Sequence, residues 1–371
     1  MHAGTGQASI ERTVGNIFIS TVGAGVLGLP YTFRRSDRAV TTVSVVCAAC
    51  LTYHCMLLLI KCNDSIAKGG GMQVHTYGDL GQMAYGAPGR VAVDILICIS
   101  QIGCCVSYLI FIGQKISSVT MGVTDRSSDI IFIILVFQII LSCVGFQTVH
   151  PYTTLGSIPF AIGVAVYCFE EFSMTLTLEA SMKHPKKFPR ILALDFFGIA
   201  SLYLLFGFVG YLAFGNKTQN IITLNLLQDL STILVKLGLC IGLFFTYPFM
   251  MYPVHEIFEG KLMRSAWFQT IAPPSSHLHT LLRNGVRGAS VIGTAVLAVS
   301  APGFAIFISL VGGTVCALLA FVLPSLFHMQ LCAGSSSMQS RIADMVLTLC
   351  GITFAAYSIY TTVVSIFMTP S

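Results

Sequence analysis

The chain reads as an all-α integral membrane protein, and three observations carry that reading. Of its 371 residues 55% are hydrophobic and 9% charged, with a mean hydropathy of +0.81, whereas a soluble domain carries about 25% charged residues. Apolar segments recur at close to the ~20 residues that a helix needs to cross hydrocarbon. Two of these segments are interrupted by glycine, proline or carboxylate where an ordinary span is uniform.

The segments fall at about residues 13–33, 39–62, 92–115, 129–147, 157–177, 191–214, 231–253, 285–303, 304–327 and 343–367, ten candidates in all. The eighth and ninth are divided only by Pro302 and Gly303, but their combined length requires two crossings. Turn chemistry fills the polar gaps, as KGGG at Lys68–Gly71, GAPGR at Gly86–Arg90, KHPKKFPR at Lys183–Arg190, APPSS at Ala272–Ser276 and AGSSS at Ala333–Ser337. No gap is long enough for a separate soluble domain. The first segment is followed by RRSDR rather than a small-residue cleavage site, so it is expected to be retained.

The net charge of +5 is spread over loops without a dense basic run, which argues against a nucleic-acid partner. Cys47, Cys50, Cys104, Cys105, Cys143, Cys240, Cys316 and Cys350 all lie in apolar runs and read as small hydrophobes. The CxxC of Cys47 and Cys50 has no second pair to complete a zinc site. His54, His75, His150, His184, His255 and His328 are scattered, and there is no HExxH or GxSxG, so an intramembrane enzyme is not expected, nor a cofactor or metal.

The first interrupted segment holds VGAGVLGLPY, Val22 to Tyr31. Glycine costs about 1 kcal/mol and proline about 3 in a helix interior, so a break is expected there. The second is PFAIGVAVYCFEEFSMTLTLEASM, Pro159 to Met182, with adjacent Glu170 and Glu171. Backbone polar groups in lipid must be satisfied, so a broken helix is tolerated only where protein encloses it or it lines a cavity. Such breaks in secondary transporters offer helix-end donors to anions and bare carbonyls to cations, a pairing that suits a zwitterion. Neighbouring residues lie about 100° apart on a helix, so Glu170 and Glu171 cannot both face one cavity; a carboxyl group placed there is a candidate proton carrier. Gln101, Ser107, Tyr108, Thr246, Tyr247, Tyr252 and His255 read as helix-packing contacts, and Asp195 as interfacial.

GNIFISTVGAGVLGLPYTFRR at Gly15–Arg35, TYGDLGQMAYGAPGR at Thr76–Arg90, GVAVYCFEEFSM at Gly163–Met174, GYLAFGNKTQNIITLNL at Gly210–Leu226, LFFTYPFMMYPV at Leu243–Val254 and SLVGGTVCALLAFVLPSLFH at Ser309–His328 together resemble the amino acid/auxin permease family. The likeness is to its vacuolar and proton-coupled amino acid transporter branch and covers almost the whole chain. It implies a leucine-transporter-like bundle of two inverted repeats, with the first and sixth helices broken around the solute and an eleventh helix added. Carried over by position, Thr21, Gly23, Ala24, Gly25 and Gly28 would bind the solute, with Tyr167, Phe169 and Ser173 from the second break, and Glu170 or Glu171 would couple protons. The resemblance implies a proton-linked carrier of neutral amino acids working by alternating access in a vacuolar or lysosomal membrane, the plasma membrane being the alternative. Its partners are then the amino acid, protons and the lipid bilayer.

Three departures from the family pattern stand out. Glu171 replaces a glycine expected in the second break, and Tyr252 stands where asparagine is frequent. Ten segments are present where the family predicts eleven, and about one is expected to be missing between Ser157 and Pro159, which leaves a first repeat of about 13–157 incomplete, a second of about 159–328 and a final helix at 343–367. Ten crossings divide the 20 Lys and Arg 14 to 6 between the two sides; restoring an eleventh gives 13 to 7, with the N-terminus and KHPKKFPR together. The sequons at Asn63 and Asn216 offer a ruler between these topologies, and a sensor or inactive form of the same fold stays open as the alternative function.

Overall fold

Helices carry the chain through the residues that the computed structural model describes, which are 9–21, 23–69, 74–120, 157–170, 174–226, 230–263, 265, 268, 270, 277–301, 303–334 and 336–368. The fourth apolar segment, 129–147, lies outside them. The first span is split: α1 (Ile10–Thr21) ends, Gly23 is extended, a 3₁₀ turn covers Ala24–Gly28, and α2 (Leu29–Ser36) continues. Pro30 falls in the first turn of α2, where its missing N–H costs no helical bond. Asp37 then turns the chain at φ 70°, its carboxylate accepting from the Arg38 amide at 2.5 Å, into α3 (Arg38–Lys68).

α4 (Tyr77–Thr120) is bent at Tyr85 and Gly86, the latter at φ 68°. The GAPGR expected as a loop is therefore a bend, and a helical arm precedes the third span. The second interrupted span is also split, into α5 (Ile158–Cys168) and α6 (Thr175–Ser181). α7 (Phe188–Phe214), α8 (Leu230–Met263) and α9 (His277–Ser300) follow. The next span begins as α10 (Phe304–Val311), passes through two π turns at Gly312–Cys316 and Leu318–Val322, and finishes as α11 (Leu323–Leu331). Pro324 supplies no N–H to the turn before it, which favours the wider π geometry there. α12 (Met338–Met368) is the final helix.

Among the described residues six helical spans are long and apolar enough to cross a membrane. Phe244, Phe245 and Phe249 on α8 and Val299 on α9 are exposed, an outward apolar surface that fits hydrocarbon rather than water. The core lies where α5 packs between α3 and α10, and where α4 lies along α8.

The order of the ends follows from cross-helix contacts. Lys261 pairs with Asp94 at 3.1 Å and the Cys105 thiol reaches the Tyr247 carbonyl at 3.8 Å, so α4 and α8 run antiparallel and Thr120 lies beside the start of α8. Arg34 donates to the Thr218 carbonyl at 2.6 Å, and Ser36 donates to the Ser157 carbonyl at 2.9 Å. Thr120 and Ser157 thus lie at one end of the bundle. At the other end Thr177 donates to the His75 carbonyl at 3.1 Å, and Ser65 to that of Leu331 at 3.4 Å. The KHPKKFPR stretch after α6 therefore shares an end with Lys68 and Arg90, which is the 13-to-7 arrangement of basic residues; ten alternating crossings would have separated them. Asn63 cannot serve as a topological ruler, because it is inside α3, 7% exposed, and its side-chain oxygen accepts from the Val74 amide at 3.1 Å.

Candidate functional site

The two breaks meet. Gly25 sits against α5 so closely that a Cβ there would lie 2.9 Å from Tyr167 Cδ1 and 3.0 Å from Cys168 Sγ. α1 and α5 approach this level from opposite ends of the bundle, and both stop there. A 3₁₀ turn bonds each amide to the third residue back, so the pattern starting at Ala24 leaves the Ala24 and Gly25 amides outside it. These are the donors that the first break can present. The Thr21 hydroxyl is turned back to the Ile17 carbonyl at 2.8 Å, so only its main chain faces the break. Gly23 has its nearest potential Cβ contact at 3.9 Å, the Tyr108 hydroxyl, and is the roomiest position of the group. Gly28 lies at the end of the 3₁₀ turn, where a Cβ would meet Ile308 at 3.0 Å and Phe304 at 3.4 Å; it is a close-approach position against α10.

On the second break, Tyr167 is buried with its hydroxyl 2.7 Å from Ser107 Oγ, and Ser107 in turn donates to the Cys104 carbonyl at 2.8 Å. The Phe169 side chain does not face the break. It is fully buried toward α7, stacked on Phe196 at 5.6 Å and tilted against Tyr203 at 5.4 Å between ring centroids. Glu170 follows the last turn of α5 and reaches α4, where Ser100 and the Cys104 thiol donate to its two oxygens, the thiol at 3.0 Å. Cys316, in the first π turn, lies 3.6 Å from Ser100 Oγ. Among the described residues no basic side chain pairs with Glu170, so its donors are all neutral. Val22, Glu171 and Ser173 lie outside the described residues.

Four participants were not singled out as site residues from the sequence: Ser100, Cys104, Cys316 and Tyr203. A signal for two of them exists, since residues 100, 104, 107 and 108 have the i, i+4, i+7, i+8 spacing of one helix face. Of the residues read as packing contacts, Tyr247 bonds Thr294 at 2.7 Å and His255 bonds Ser290 at 2.9 Å, whereas the Gln101 side-chain oxygen is buried with no partner among the described residues. Tyr252 is 52% exposed on α8 and stands away from the breaks. Asp195, read as interfacial, is buried against protein at 7% exposed, and one of its oxygens has no partner among the described residues. A groove of about 420 Å³ between α3 and α5, lined by Val40, Val43, Ser44, Leu51, Ile158 and Ile162 among others, includes none of the break residues and is almost wholly apolar.

A helical membrane protein whose two interrupted segments meet inside the bundle has the arrangement described for membrane transporters. The family model for the transmembrane amino acid transporter protein matches residues 6–146 and 144–366, and the chain belongs to that family. It is 37% identical to amino acid transporter ANT1 of Arabidopsis thaliana over 98% of this chain and 94% of that one, and 34% identical to amino acid transporter AVT3A of the same plant over 96% and 90%. Vacuolar amino acid transporter 3 of Saccharomyces cerevisiae is 25% identical over 96% of this chain and 57% of its own length. The alignment with ANT1 runs over 406 positions while 98% of 371 residues is about 364, so about 42 positions face no residue of this chain.

Proposed function

We propose that this chain moves neutral amino acids across a membrane by alternating access around the two breaks, coupled to protons through Glu170. The observation that carries the reading is the contact of Gly25 with Tyr167 and Cys168, which puts two interrupted helices at one buried level. The Ala24 and Gly25 amides, outside the 3₁₀ pattern, suit a carboxylate, and the negative helix ends of α1 and α5 suit an ammonium group nearby. Glu170, held by neutral donors, gains or loses a proton without breaking an ion pair, which is what a coupling group requires. The vacuolar membrane is the proposed location, on the strength of the yeast relative. The test is uptake of radiolabelled alanine, lysine and glutamate by proteoliposomes with and without an imposed pH gradient. Gradient-dependent alanine uptake is expected, and uptake of the charged solutes alone, or uptake indifferent to the gradient, would refute the substrate or the coupling.

A second reading, a form that keeps the fold without completing transport, is favoured by the unfilled alignment positions. Thr120 and Ser157, the described residues that flank 121–156, lie at one end of the bundle. That interval holds 36 residues, 121 to 156, and two helical crossings need about 40. On this reading the shortfall falls near residues 144–146, where the family match restarts. A transcript encoding about 40 more residues near this junction, whose product transports where the 371-residue chain does not, would decide for this reading.

A further inference from the structure

The half-helices α1 and α5 end on carbonyls that converge on a single side chain. Tyr203, on α7, is fully buried, and its hydroxyl lies 2.7 Å from the Thr21 carbonyl oxygen and 3.2 Å from that of Cys168. The last carbonyls of a helix carry about half a negative charge. Two such ends meeting inside protein repel unless a donor or a cation stands between them, and bare helix-end carbonyls in transporters are where cations bind. Here a phenol proton occupies the position. The ring cannot drift, because it is braced by Phe169, which is itself stacked on Phe196. Phe169 immediately precedes Glu170, so the same brace reaches the acidic residue.

We propose that Tyr203 is a positioning residue that holds the two breaks in register, its hydroxyl proton supplying the positive charge that an alkali cation would otherwise supply to the Thr21 and Cys168 carbonyls. The pinning stands on the geometry alone; its effect on a solute rests on the transport reading. Tyr203 touches the carbonyl frame of the site and shapes what the neighbouring amides of Ala24 and Gly25 can meet.

The experiment compares hydrogen–deuterium exchange of the full chain and of Tyr203→Phe, which keeps the ring and deletes only the hydroxyl, in lipid nanodiscs. Loss of a shared buried hydrogen bond predicts exchange about tenfold faster in peptides covering Gly23–Leu29 and Tyr167–Glu170 together, with α8 and α12 unchanged. Acceleration at one break only, or at neither, overturns the proposal. At constant ionic strength, replacing a bulky organic cation with Na⁺ should slow both breaks again in Tyr203→Phe and leave the parent unaffected. A purely structural tyrosine gives no such response, and its absence overturns the charge-supplying role. If Tyr203→Phe does not fold, 3-fluorotyrosine at 203, a stronger donor of nearly equal volume, must slow exchange at both breaks, and no change overturns the proposal. Amino acid uptake by the same parent preparation tests transport separately, so a silent transporter with coupled exchange refutes that reading and not this one.

Discussion

Gly25→Ala is the most direct probe of the contact between the breaks. The added methyl would sit 2.9 Å from a Tyr167 ring carbon and 3.0 Å from the Cys168 sulfur, and both of those side chains are buried. Neither neighbour is a loose chain end, so the strain is that of an overpacked core, about 1–3 kcal/mol. Gly23→Ala is the matched control, with 3.9 Å to the nearest atom and a φ of −101° that alanine adopts freely; a change within about 0.5 kcal/mol is expected, or a small gain from the less flexible unfolded chain. The assay is reversible unfolding in mixed micelles of rising denaturing-detergent fraction, read as an apparent free energy. In a Tyr167→Leu background, which removes the ring carbon, the Gly25→Ala penalty should shrink by a coupling of about 0.5–3 kcal/mol. Equal behaviour of the two glycine variants, or a penalty untouched by Tyr167→Leu, would refute the claim that the two broken helices touch there.

Under the transport reading Glu170→Gln keeps an acceptor for Ser100 but has no titrating proton, so it should abolish stimulation of uptake by a pH gradient while solute exchange between equal compartments continues; stimulation that survives excludes Glu170 as the coupling group. The buried pair of His328 and Asp344, 2.6 Å apart, ties α11 to α12. Asp344→Ala strands its partner and should cost about 3–5 kcal/mol, more than the paired replacement of both residues by leucine, measured in the same micelle titration. Endoglycosidase treatment of chain made in a glycosylating host should reveal no sugar at Asn63, since that side chain is buried and engaged; a shift lost in Asn63→Gln would contradict the placement of α3. Cysteine labelling from one face of sealed vesicles should reach Lys68→Cys and Lys186→Cys together, and labelling from opposite faces would restore the ten-crossing topology.

The first break is legible in the residues because glycine and proline carry a helix penalty large enough to be seen without tertiary context; the second, which has neither residue between α5 and α6, is marked only by carboxylates in an apolar run. What those residues face is not legible. Phe169 and Glu170 are neighbours, yet one turns into α7 and the other into α4, a choice made by Phe196 and Ser100 on segments far away in sequence. Tyr203 is one tyrosine in an apolar run, and nothing near it in the chain tells that two carbonyls from other helices end beside it. Asp195 lay close enough to a span end to read as interfacial, and only the packing of α7 buries it. The helical arm before the third span was hidden by GAPGR, whose turn chemistry is real but bends a helix instead of ending one.

The two π turns of the tenth family-type span set a further constraint on the chain. Each π turn carries one residue more than an α-helical turn would, and each surplus residue rotates everything beyond it by about 100°. His328 lies after both, so its aim at Asp344 is a matter of helical phase accumulated over Gly312–Val322. Deleting a single residue anywhere in that stretch would swing the imidazole off its carboxylate as effectively as replacing it, which makes the length of this short interval, and not only its composition, a determinant of how the last helix is fastened.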